Sequence, residues 1–205
     1  MFSNSDNVLI HGGVFNQTGA TIHHHQWLPR DGFDILHGRI VSNAFHNSSE
    51  QFDAPKCHPN TRTSVLETIM EWVTQHQVVR LKPLLWLYGA AGAGKSAICR
   101  TIAERYYGEG LLVATFFFSR TPFEHNSVEG IVATLAYQLA LSIPSTRDHV
   151  RQAVENDPSI FERDLGEQFE KLIAQPVLLS LSPQVLPKPS RLPPKLVIID
   201  GLDKC

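Results

Sequence analysis

The 205-residue sequence predicts an α/β fold, a parallel sheet flanked by helices and preceded by an N-terminal arm. Three observations predict it. Three short apolar runs, Leu84–Tyr88, Leu111–Ser119 and Leu196–Asp200, alternate with stretches of helical periodicity. The first run opens into a turn built only of Gly and Ala that ends in Lys95 and Ser96, and the third ends in an acid, Asp200. Runs that are apolar at successive rather than alternate positions read as strands covered on both faces, as in a parallel sheet between helix layers.

The first sixty residues stand apart. They carry seven of the ten histidines, and no Asp, Glu, Lys or Arg falls between Asp6 and Arg30. Without long helical periodicity, 1–60 reads as an arm of irregular or β character. Its segment from Asn7 to Pro29 mixes Val, Leu, Ile, Phe and Trp with Asn, Gln, Thr and Gly, a composition compatible with a hairpin resting on the domain, with plain disorder, or with strands that pair in self-association. His23-His24-His25 sit on consecutive positions, which point to alternate faces of an extended chain, so they do not converge on a metal.

Residues 61–205 carry the domain. Ser64 with Glu67 matches a capping box, and Leu66, Ile69, Met70 and Val73 form one face of a helix running to about Val79. Pro83 closes the connector to the first strand. A helix from Ser96 to about Tyr107 follows the loop and stops at Gly108 and Gly110. After the second strand, Asn126 and Glu129 resemble a cap for a helix with a stripe of Val128, Ile131, Val132, Leu135 and Leu139, halted by Pro144. Residues 145–175 read as two polar-faced helices that turn at Asp157-Pro158. Residues 176–194 hold six of the thirteen prolines and read as an extended loop before the third strand.

Composition excludes several classes. The chain is 42% hydrophobic and 19% charged, which is globular. Lys plus Arg number 18 against 20 for Asp plus Glu, so the basic footprint of a nucleic-acid or polybasic membrane binder is missing. Three cysteines, Cys57, Cys99 and Cys205, form no CxxC pair and imply neither a disulfide framework nor a zinc site. The longest apolar stretch, Leu111–Phe118, falls short of the roughly 20 residues that span a bilayer. With no signal peptide legible, the expectation is a cytoplasmic chain with no membrane span and no nucleic-acid partner.

Gly89-Ala90-Ala91-Gly92-Ala93-Gly94-Lys95-Ser96 matches G-x-x-x-x-G-K-[ST] completely. A loop that wraps a phosphate needs small residues so that successive backbone N–H groups can face inward. The helix that begins with Lys95, Ser96 and Ala97 would aim the positive end of its dipole at the same anion. Lys95 is then the phosphate contact and the Ser96 hydroxyl a magnesium ligand. Asp200, at the end of a buried strand, is the second magnesium-holding residue such a loop requires.

These residues resemble a known family. Asp200-Gly201-Leu202-Asp203-Lys204-Cys205 looks like the acidic-strand motif of NACHT-type signalling NTPases, commonly Asp-Gly-apolar-Asp-Glu. Pro55-Lys56-Cys57-His58-Pro59-Asn60-Thr61-Arg62, Trp86-Leu87-Tyr88-Gly89, Phe116–Arg120 and the segment from Gln168 to Pro176 agree with it. Over about residues 50–205 the chain is similar to fungal NACHT proteins whose P-loop NTPase module is called nephrocystin-3-like. The resemblance implies a switch that binds ATP or ADP with Mg²⁺, with self-association or protein partners engaged through further repeats or the arm. It also implies that such a module continues past the acidic strand, so the domain in 61–205 is expected to be an incomplete one.

One departure bears on turnover. Lys204 stands where the family usually has Glu, and a lysine cannot act as an acidic base at neutral pH without a large pKa shift. Asp203 is left as the candidate catalytic, water-orienting acid, and hydrolysis is expected to be slow or absent. Two alternatives compete. One is a non-hydrolysing interaction or scaffold module. The other is a small-molecule or nucleotide kinase, whose lid arginines would have to come from Arg147, Arg151 and Arg163.

Overall fold

The computed structural model describes residues 16–17, 20–21, 31–49, 53–74, 84–118, 128–181 and 195–202. The chain forms two compact units, Met1–Arg30 and Asp31–Cys205. In the smaller, β1 (Asn16–Gln17) pairs antiparallel with β2 (Ala20–Thr21), Asn16 opposite Thr21. The three consecutive histidines lie outside the described residues.

The larger unit begins at Asp31, so residues 31–49, which the sequence groups with the arm, pack inside it. The Asp31 side chain accepts from Phe33 N and caps α1 (Gly32–His37), and Leu36 on that helix is fully buried. Gly32 N donates to Glu155 Oε1 at 3.2 Å. A β-carbon at Gly32 would collide with the Arg151 carbonyl, so only glycine lets α1 lie this close to its neighbour.

The expected α/β architecture is present as a two-stranded parallel sheet between helices. β3 (Leu112–Phe117) and β4 (Leu196–Asp200) pair from Leu112↔Leu196 to Phe117↔Asp200, with a register shift between Leu112 and Ala114. On one face, α2 (Thr63–Thr74) and α3 (Lys95–Gly108) pack Ile69, Val73, Ile98, Ile102 and Tyr106 against Phe117, Leu196 and Ile198. On the other, α4 (Ile131–Ser142) sets Leu135 and Leu139 against Val113, Phe116 and Phe118. Behind α4 lie α1, α5 (Pro144–Asn156) and a helix from Leu165 to Ser180, composed of α6 (Leu165–Phe169), a π turn (Glu170–Ala174) and α7 (Gln175–Ser180). Each core phenyl ring fully buried this way contributes about 1.5–3 kcal/mol.

All of β3 is buried because helices cover both its faces. Its outer edge is closed by side chains. Thr115 N donates to Gln138 Oε1 at 3.1 Å, and Gln138 Nε2 donates to Thr115 O at 2.8 Å. Ser142 Oγ donates to Val113 O at 2.8 Å. An α4 glutamine thus supplies the donor and acceptor that another strand would have offered.

Three sequence expectations come out differently. Leu84–Tyr88 is not a strand. Leu84, Trp86 and Tyr88 are 75%, 63% and 83% exposed, while Leu85 and Leu87 pack on the α2–α3 cluster. An apolar run becomes a buried strand only where neighbours pair with it, and among the described residues no strand does. β4 alternates, with Val197 and Ile199 49% and 38% exposed, because the α2–α3 cluster covers only its Leu196–Ile198 face. Finally, α2 starts at Thr63, ahead of Ser64, and α4 starts after Gly130, whose φ of 81° ends the preceding turn. Asn126 and residues 75–80 lie outside the described residues, as does the proline-rich stretch 182–194.

Candidate functional site

The loop between Tyr88 and α3 is shaped by backbone geometry. Gly92 and Gly94 hold φ of 77° and 82°, the left-handed region that penalises any side chain. Ala93 N donates to Ala90 O at 3.1 Å and tightens the turn. Gly94 is the N-cap of α3 and offers no side chain, so the first N–H groups of the helix take no side-chain cap. Lys95 folds back over the loop, its Nζ donating to Gly89 O at 2.9 Å and Ala90 O at 3.3 Å. Ser96 and Ala97 lie half-buried in the first turn.

Asp200 ends β4 and is 6% exposed. Its Oδ2 is buried with no hydrogen-bond partner. Beside it, the Cys99 thiol hydrogen-bonds to the carboxylate and is pushed up to about 12, first by burial and then by the Asp200 charge and that bond. Leu85, Leu87, Val197 and Ile199 help wall a cavity of about 400 Å³ that Gly89, Lys95, Cys99 and Asp200 also line. The fold therefore brings Lys95 of the Gly/Ala loop and the strand-end Asp200 to one space.

An unsatisfied buried carboxylate oxygen is costly, and a divalent cation is one group that would satisfy it. Among the described residues no three His, Cys, Asp or Glu side chains cluster as a self-sufficient metal site. A magnesium ion held by Asp200 and Ser96 would take its remaining ligands from water and from phosphate oxygens, the usual habit of that ion. Asp203 and Lys204 lie outside the described residues. Of the arginines a kinase lid would need, Arg147 stacks on Phe33, Arg151 pairs with Asp148 and Glu155, and Arg163 pairs with Asp157 and Glu167.

Two residues join the site without having been singled out in the sequence. Cys99 is four positions after Lys95, which puts both on one face of α3, and that spacing was the available signal. Arg62 arrives with the segment that precedes α2. Cys57 N donates to Thr101 Oγ1 at 3.1 Å and Lys56 pairs with Glu104 at 2.8 Å, so this segment runs alongside α3. Arg62 then lies against Gly94, where a β-carbon would stand 2.8 Å from Nη2 and 3.0 Å from Cζ.

Among the described residues no helix is long and apolar enough to cross a membrane. Neither a curated protein nor a solved structure matches the chain. The family model described as "Nephrocystin 3, N-terminal" matches residues 60–205, a span that includes the Gly89–Ser96 loop, Asp200 and Arg62. The chain belongs to the nephrocystin 3 N-terminal family.

Proposed function

We propose that the chain carries the nucleotide-binding module of a NACHT-type signalling switch of the fungal kind, taking ATP or ADP with Mg²⁺. The observation that carries this reading is the convergence on one cavity of Lys95, from a complete phosphate loop, and Asp200, with its buried unpartnered oxygen. Gly89 through Ala97 supply the loop and the start of the helix, Lys95 the phosphate contact, Ser96 and Asp200 the metal ligands, and Asp203 the water-orienting acid. A switch of this kind responds to the γ-phosphate, the one group that differs between its two ligands. Partners are engaged through self-association or other proteins.

Equilibrium titration of the whole chain with Mg-ADP and Mg-ATP tests the reading. Lys95→Ala is expected to weaken both by at least about tenfold, since a charge-assisted bond contributes about 1.5–3 kcal/mol. A wild-type chain that binds neither nucleotide sinks it. Lys204 favours a second reading, in which nucleotide binds without being turned over. Slow hydrolysis gained by Lys204→Glu would favour the impaired switch over that scaffold.

A further inference from the structure

We propose that Arg62 is a second cationic contact to the polyphosphate of the bound nucleotide, an inference that rests on the nucleotide reading above. Its guanidinium lies on Gly94, the residue before Lys95 and the N-cap of α3. Two cations thus flank the loop, Lys95 folded over the Gly89 and Ala90 carbonyls and Arg62 laid against Gly94.

Arg62 is exposed, and among the described residues no carboxylate pairs with it. The sequence leaves none nearby: no Asp or Glu occurs between Asp53 and Glu67 or between Glu71 and Glu104. Every other described arginine or lysine of the segment and loop is engaged, Lys56 by Glu104 and Lys95 by the loop carbonyls. A surface of this kind, with loop N–H groups and an uncapped helix start beside two cations, is complementary to a multiply charged anion. Asp200, more than nine-tenths buried and with one oxygen unpartnered, adds an acidic group suited to the cation that accompanies such an anion.

The backbone around Arg62 is held in a conformation that arginine rarely adopts. Its φ is 57°, and Asn60 two residues earlier has 64°. Thr61 N and Thr61 Oγ1 both donate to His58 O, at 3.0 and 2.6 Å, and Leu66 N donates to Arg62 O at 3.0 Å. Strain of this kind persists where surrounding contacts over-determine it, and here the side chain lies against the loop at Gly94. A guanidinium suits the task because its planar fork can donate two parallel bonds to one phosphate, which an ammonium cannot.

The test is calorimetric titration of the whole chain with Mg-ADP and with inorganic tripolyphosphate, using Arg62→Gln, Arg62→Lys and Lys95→Ala, with circular dichroism to confirm that each variant is folded. Arg62→Gln is expected to weaken both ligands by roughly ten- to a hundredfold, with Arg62→Lys recovering part of the loss. Unchanged affinity in Arg62→Gln overturns the proposal. So does a loss confined to ADP, which would assign the guanidinium to base or sugar. A wild-type chain that binds neither ligand removes the nucleotide reading itself. A binding wild type that loses both ligands in Lys95→Ala keeps that reading intact, whatever Arg62→Gln does.

Discussion

The two edges of the small sheet are finished in opposite ways. On the β3 side, Gln138 and Ser142 of α4 take up the backbone groups of Thr115 and Val113 that point away from β4. On the β4 side no strand among the described residues pairs with the edge, and Val197 and Ile199 stand open beside Leu84, Trp86 and Tyr88. One edge is sealed by polar side chains of α4, Ser142 and the buried Gln138. The other is open and borders the cavity where Lys95 and Asp200 meet. Stability and candidate chemistry are therefore separated across the two described strands of this sheet, in line with the tendency of functional regions to be drawn from the less stable part of a fold.

The sealed edge is most sensitive at Gln138. Gln138→Leu leaves a buried N–H and C=O of Thr115 unsatisfied, at about 1–3 kcal/mol each, and denaturant unfolding should show a loss of roughly 2–6 kcal/mol. A loss below about 1 kcal/mol would mean the edge is not sealed as described.

A smaller effect follows from His46, which borders the same edge. His46 N donates to Thr115 Oγ1 at 3.0 Å, and its ring packs on Tyr107 with Nε2 buried and unpartnered. Burial pushes its pKa below the usual 6.5, and the attraction of Glu104 opposes this only in part. The unfolded chain then takes up the proton first. The stability that comes from a neutral His46 is present above about pH 6.5 and is lost as pH falls through the lower folded-state value. Melting temperature should drop between about pH 7 and pH 5, and His46→Gln should flatten that drop; parallel curves for the two proteins would refute it.

The smallest effect is expected on the open edge. Val197→Thr should change stability by no more than about 0.5 kcal/mol, because the side chain is half exposed and no described strand pairs with the edge on that side. A larger loss would show that something covers this face in solution.

The sequence disclosed the parts of the fold that depend on local chemistry. The Gly/Ala loop, α3 and the two strands β3 and β4 follow from residue type and spacing, and the residue at the end of β4 is Asp200 as read. What stayed hidden depends on neighbours. Leu84–Tyr88 has the composition of a buried strand, yet composition does not say which partners will lie alongside. Gln138 sits within an apolar helix and gives no sign that its amide will serve as a surrogate strand. α1, only six residues long, is too short to show periodicity, and its one conspicuous mark is the Asp31 cap. Arg62 lies in a stretch that resembles the family's, and only the fold lays it on Gly94.

The π turn in the last helix bears on how this chain can change in length. Gln168, Leu172, Pro176 and Ser180 are buried at steps of four, whereas an α-helix turns about 100° per residue and would drift by about 40° at each such step. The wide turn at Glu170–Ala174 absorbs one extra residue, and Pro176, which has no N–H to give, follows directly where the bonding ladder is already displaced. A one-residue deletion inside 170–174 would therefore be taken up by relaxing that turn to ordinary α geometry, with Gln168 and Ser180 still facing inward. The helix thus has a slack point, at which the chain can shorten by one residue without rotating either end.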